Sequence, residues 1–460
     1  MILRLTDGTT TITLSGGSGV YLGATYFPGT PNEAGTRTQR TQDEGELLSG
    51  VRLQNVTDSA EVILEGTGPD IRVAVNAINS MLQDARTGRR TIYAEYDPHN
   101  GTPWRMRVFS GRPVAWSSNP NRRRLDGATN TVAVQVIWER APYMEGPETE
   151  LPISARNQAA ATGGQIIRNQ YAPAGSYGNW VQVASTYIEG DLPAPVRLEL
   201  QNTSGADLWY RNFYFAVNAK SAASFAHFIQ GEDRRTGLGT TQNLGSASGG
   251  QYVQATFTSS YYLMWDLAAS LVQNAAGRRF KLLCRFAGFG PVGGGIYVQP
   301  ELRDADGLTI LWRGDELALP ESSTSAIIDL GRSMPLPPSG NPNNWSPLVL
   351  ALKFRCATST TVSLDYIQLT PTDSYRKIVQ RATQVTDTDT VIDDSIDNTA
   401  YWLESSTGNR YDVYAVPPQR LRIIPGRANR IYALWDEGTS SNIANQFTVR
   451  LYYRPRRLAV

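Results

Sequence analysis

The feature that most limits what this chain can become is its two-residue alternation, at full strength in VAVQVIWER, Val132 to Arg140. Successive side chains of a strand point to opposite faces, so a period of two means a strand with one buried face. The run stops in Ala141-Pro142-Tyr143. Proline has no N–H to give to a ladder, so the strand ends there. Comparable runs precede it (TTITL, VILEG, TIYAEYD, WRMRVFSGRPVAW) and follow it (RRFKLLCRFAG, PLVLALKFRC, TVSLDYIQLTP, FTVRLYY). Gly, Pro and Asn punctuate them. The pattern predicts a mainly β protein of several β-sandwich domains, the first with one α-helix packed on it.

That helix is the stretch Pro69 to Gly88, where Ile71, Val75, Ile78 and Leu82 recur at helical spacing. Asp70 is the expected N-cap and Gly88 the expected C-terminal stop.

A chain of 460 residues exceeds one ordinary core, and two to four domains are expected. The formal net charge of +1 gives no electrostatic case for nucleic acid. All but four of the 43 basic residues are arginine, whose planar fork suits packed polar interfaces, although a GC-rich genome yields the same bias. Cys284, Cys356, His99 and His227 are the whole supply of soft metal ligands, too few for a zinc ribbon or an iron–sulfur site, and no metal or cofactor is expected. Two cysteines are also too few for a disulfide framework, and whether they bond to each other is left open. No run of 18 apolar residues would insert in a membrane, and Met1 leads into no signal-like h-region, so a soluble chain made in a cytoplasm is expected.

The order of patterns suggests four parts. Residues 1–147 form a β-sandwich with one helix. Residues 148–169 are small and polar, a connecting arm. Residues 170–220 and 379–460 read as halves of one outer β-domain, with a Pro425-Gly426 turn near its end. Between them, residues 221–378 read as an inserted jelly roll.

Motifs with chemical meaning are few. GFGPVGGG, Gly288 to Gly295, is glycine-rich but lacks a surrounding βαβ pattern, so it reads as a turn. Asp304 to Gly307, DADG, matches the start of a calcium loop without its later Glu, and reads as a hairpin turn. Arg313-Gly314-Asp315 is too common a tripeptide to imply adhesion. Asp387, Asp389, Asp393, Asp394 and Asp397 offer acid pairs of the kind glycan hydrolysis needs, but their polar setting reads as a solvated linker. No catalytic residue is assigned. Among the tryptophans, Trp265 reads as core and Trp312 as core or stacking face. Trp345 lies in the polar loop SGNPNNWSP, where Asn343 and Asn344 offer amides to sugar hydroxyls, and these three are the candidate carbohydrate-binding residues.

Taken with the exit RAPYMEG and the helix Asp70 to Arg86, the first 147 residues resemble the N-terminal domain of siphophage distal tail proteins. GDLPAPVRLELQN resembles the opening of that family's C-terminal β-domain, and QRLRIIPGRANRIYAL its closing strands. Two features depart from the family pattern: the outer domain is split by an insertion, and residues 151–169 have no obvious counterpart. The resemblance implies a non-enzymatic virion protein of the tail tip, made in the host cytoplasm. It implies a hexameric ring at the distal end of the tail, joining the tail tube protein to the tip or hub protein. Some members carry inserted carbohydrate-binding modules, so host cell-surface polysaccharide is a further expected partner. The alternative from the residues alone is a polysaccharide-binding or glycan-hydrolysing β protein.

Overall fold

The computed structural model describes the chain except residues 1, 16–18, 24–25, 32, 42–44, 98–101, 117–123, 127–128, 171–176, 219–227, 236, 246, 275–276, 278, 291–294, 320–323, 338–347, 372–374, 417–419, 438–444 and 459–460. The protein is mainly β, with sandwich-like domains, as the alternation predicts. It divides into two compact units. The first comprises Met1–Glu148, Glu189–Leu192 and Arg454–Val460, and the second comprises Thr149–Ile188 and Pro193–Tyr453.

In the first unit one antiparallel sheet runs in the order Thr11–Thr13, Ile2–Thr6, Ile92–Asp97, Trp104–Trp116, Thr129–Arg140, Val56–Gly66, Val20–Leu22. Thr129–Arg140 and Val56–Gly66 stay in register from Asn130↔Gly66 to Arg140↔Val56. Both ends of the sheet are three-residue strands, and short edges blunt unwanted pairing.

The helix Gly68–Thr87 lays Ile71, Ile78, Met81, Leu82 and Ala85 on this sheet. Each large apolar side chain so buried stabilises the unit by about 1.5–3 kcal/mol. The helix begins one turn earlier than the apolar spacing suggests. Thr67 is the N-cap, and Asp70 is the third residue of a reciprocal box: the Asp70 N–H donates to Thr67 Oγ1 while the Thr67 N–H donates to Asp70 Oδ2 at 3.1 Å. Pro69 fits inside the first turn, where no N–H is missed. Gly88, at φ +69°, ends the helix as expected. Close packing depends on Gly111 of Trp104–Trp116: a Cβ there would lie 2.6 Å from Leu82 Cδ2.

The second unit holds two pairs of sheets. The outer pair encloses a core that includes Leu198, Phe213, Ile378, Trp435 and Phe447. One of its sheets runs Thr149–Glu150, Gln446–Tyr453, Ala194–Asn202, Thr390–Asp394, Thr399–Leu403, Arg410–Asp412, and the other ends in Leu208–Asn218, Tyr375–Val385, Tyr414–Val416. The turn after Asn202 therefore joins strands of different sheets. Asn202 is fully buried at that corner, and its Nδ2 donates to the carbonyls of Ala206, Val385 and Thr386. Residues 149–168, read from the sequence as an arm, carry four short strands of these two sheets.

The other pair spans residues 228–371. Sheets containing Thr360–Pro371 with Arg279–Gly290, and Leu348–Arg355 with Tyr297–Arg303, enclose a core around Trp265, Phe286, Leu350 and Phe354. Cys284 and Cys356 are both buried here and both free. Burial pushes the Cys284 thiol pKa well up, so it stays protonated. Tyr214, Tyr375 and Leu434 of the outer pair meet Leu283, Ile327 and Tyr366 of this one in a separate buried cluster.

Candidate functional site

Trp345, Asn343 and Asn344 lie outside the described residues. Trp265 is core, its Nε1 donating to the Gly231 carbonyl at 3.1 Å, and Trp312 is half-buried against the same core. Asp304 to Gly307 forms the expected turn, closed by the Gly307 N–H to the Asp304 carbonyl at 3.0 Å. Arg313 is tied to the buried Glu301 at 2.9 Å, which also holds Arg303. Gly288 to Gly290 continue a strand, and 291–294 lie outside the described residues.

The acidic segment is not a solvated linker. Thr390–Asp394 is a strand inside the eight-stranded sheet. Asp389 is buried at its entrance. Burial works against the Asp389 carboxylate, but hydrogen bonds from Thr386 and Ser405 overcome it and hold the pKa below the usual range. Asp393 is buried 2.8 Å from Arg376, and Asp394 accepts from the N–H groups of Ile396 and Asp397. Asp389, Asp393 and Asp394 thus each have a structural partner, which sequence polarity misses because it comes from another strand or a turn, whereas Asp387 and Asp397 are exposed as their polar setting suggests.

The exit at Pro142 is pinned on both sides. Arg140 stands on the inward face in phase with Val134, Val136 and Trp138, fully buried. Its Nε pairs with Asp58 Oδ2 at 2.5 Å, Nη1 donates to the Ala141 carbonyl at 2.8 Å, and Nη2 donates to the Gly29 carbonyl at 2.6 Å. Asp58 also accepts from the Tyr26 hydroxyl at 2.6 Å and the Gly29 N–H at 2.9 Å. Burial, then the Asp58 charge, push the Tyr26 pKa far up, so it remains a donor. Beyond the proline, Met144–Glu145 pairs with Arg456–Arg457, and Glu145 binds Arg456 at 2.5 Å. The Arg456 guanidinium also covers the Tyr143 ring, 4.0 Å from its centroid. Gly146 permits this approach, since a Cβ there would lie 2.7 Å from Pro455 Cγ.

One concave site stands out in the second unit. A cleft of about 270 Å³ opens between the terminal strands Arg410–Asp412 and Tyr414–Val416, with Arg376, Asn398 and Thr399 among its lining. Arg376 lies at its floor, paired with Asp393, and its Nη1 donates to Asn398 Oδ1 at 3.0 Å. Asn398 holds a left-handed backbone at φ +59° on the turn that places it there. Arg410 pairs with Asp412 at 3.0 Å and lies 3.8 Å from the Tyr401 ring centroid. Tyr414, also in the lining, is 73% exposed. Among the described residues no group of three His, Cys, Asp or Glu side chains is placed to hold a metal ion, and no helix is long and apolar enough to cross a membrane.

No family model and no curated protein matches the sequence. Similar solved structures include the Dit hub protein of phage SPP1 (8% identity, TM-score 0.31, 99% of each chain covered). The phage p2 baseplate in its activated conformation with Sr matches at 8% identity and TM-score 0.23, over 79% of this chain and 97% of that one. The N-terminal tandem CBM22 domain of Paenibacillus barcinonensis Xyn10C matches at 10% identity and TM-score 0.20, over 49% of this chain and 93% of that one.

Proposed function

We propose that the chain is a structural, non-enzymatic subunit of a phage tail tip, made in the host cytoplasm and placed at the distal end of the tail. In this reading its first domain, residues 1–147, closes into a hexameric ring between the tail tube protein and the tip or hub protein. The observation that carries the reading is the double-pinned exit. Arg140 locks the last strand to Asp58 and the loop at Gly29, and Glu145 and Tyr143 are clasped by Arg456. A chain leaving a ring-forming domain through such a clasp transmits load along paired strands. The use of charge supports it: Arg140–Asp58, Arg285–Asp365, Arg303–Glu301, Arg376–Asp393 and Arg456–Glu145 are buried pairs. Removing either partner of such a pair is costly, so they fix geometry. A head-to-tail ring would also cover the short sheet edges at Thr11–Thr13 and Val20–Leu22.

The reading keeps the boundary at 147 and an inserted jelly roll on the periphery, with residues 149–168 and the strand Tyr375–Val385 assigned to the outer domain. It assigns that insertion to host-surface polysaccharide, with Trp345 as the stacking face and Asn343 and Asn344 as its polar partners. Electron microscopy and sedimentation of the purified full chain test the ring: six-fold particles that bind isolated tail tubes are expected. A monomer at every concentration that joins no tube would end this reading. Glycan-array binding lost in Trp345→Ala is the expected result for the insertion.

A further inference from the structure

We propose that the cleft between Arg410–Asp412 and Tyr414–Val416 binds one neutral pyranose of a larger glycan, with Tyr414 against the apolar face of the sugar. The site belongs to the outer pair of sheets, and it needs only the second unit, whatever the oligomer. Three observations lead there. The first is size: about 270 Å³ suits a single sugar ring and is too small to seat a protein surface. The second is charge balance. Arg376 is matched by Asp393 and Arg410 by Asp412, so the cleft has no surplus positive charge to trade against an anion. Its lining still carries donors (Arg410, the Asn398 amide) and an acceptor (Asp412). A vicinal diol, which donates and accepts at each oxygen, fits that mixed lining. The third is Tyr414, largely exposed within this polar lining. A flat aromatic face next to bidentate polar groups covers the C–H side of a pyranose while its hydroxyls are bonded.

Saturation-transfer NMR on the full chain tests this, with methyl glucoside, methyl galactoside, N-acetylglucosamine and methyl glucuronide as probes at millimolar concentration. Transfer to at least one neutral glycoside is expected. Tyr414→Ala, at an exposed position, should weaken it by about tenfold or more with an unchanged unfolding midpoint. Asp412→Ala leaves Arg410 uncompensated, so glucuronide should gain on the neutral glycosides in that variant alone. No transfer from any neutral glycoside overturns the proposal. So does binding undiminished in Tyr414→Ala, or wild-type preference for the glucuronide. Ring formation, read by electron microscopy on the same variants, should be unaffected, which separates this outcome from the fate of the tail-tip reading.

Discussion

Replacing Arg140 by Met should cost the first unit about 3–5 kcal/mol, the range for removing one member of a buried ion pair. The structure gives the reason. Arg140 is fully buried and carries three bonds at once: to Asp58, to the Ala141 carbonyl and to the Gly29 carbonyl. Without it Asp58, also buried, keeps among the described residues only the Tyr26 hydroxyl and the Gly29 N–H to stabilise its charge. In a unit of this size the loss lowers the melting temperature by roughly 10 °C. Tyr26→Phe alone removes one bond to a charged acceptor and should cost about 1.5–3 kcal/mol. The triple variant Arg140→Met, Asp58→Leu, Tyr26→Phe removes the charges and the hydroxyl together. It should recover most of the Arg140→Met loss, because no charged side chain of the network is then left buried without a partner. Hydrogen exchange in urea, read at the amides of Val56–Gly66 and Thr129–Arg140, reports on this unit by itself. A loss below about 1 kcal/mol, the value of an exposed pair, would refute the view that this network fixes the exit.

Gly111→Ala should cost about 1–3 kcal/mol by overpacking, since its Cβ would lie 2.6–2.8 Å from three Leu82 atoms; calorimetry should show that adding Leu82→Ala costs less than the two separate losses combined. Glu232 has its pKa raised to about 7, first by burial and then by the charges of Asp233 and Asp365. The folded chain therefore keeps a proton that the unfolded chain releases from about pH 4.5, and second-unit stability should fall as pH rises from there to about 7 and level off above. Thermal melts of Glu232→Gln should show a shallower decline, since burial also raises Asp393 to about 7 and Asp365 to about 6, and the variant should exceed wild type at pH 8. Excising residues 219–374 behind a short Gly-Ser linker, with the strand Tyr375–Val385 kept whole, should leave the outer pair folded but expose Tyr214, Tyr375 and Leu434. The excised chain should bind a hydrophobic dye and self-associate, and Tyr214→Lys with Leu434→Glu should suppress both; loss of folded circular dichroism would count against the split-domain proposal.

What was legible in the sequence was whatever depends on one segment's own face. Val132 to Trp138 announces a half-buried strand because its period is two, and Ile71 to Leu82 announces a helix because its period is not. The same period also marks charged positions. Val56, Asp58, Ala60, Val62 and Leu64 share the inward face of their strand, and Arg140 continues the inward series of Val134, Val136 and Trp138. A lone acid and a lone base, each in phase with an apolar face, are the signature of a buried pair, since neither charge can be left inside alone. What stayed hidden depends on which strands are neighbours. Ala194–Asn202 and Leu208–Asn218 alternate like a hairpin, yet they lie in different sheets, and only the buried Asn202 at the corner marks the crossing. Asp389 and Asp393 look solvated for the same reason. Asp393 meets Arg376 of another strand, and Asp389 meets Trp402 and Ser405 after the next hairpin. Local polarity counts charges without their partners, and the partner is a property of the register between strands. A charged residue inside a strand of this chain is therefore better judged by its phase than by the polarity of its neighbours.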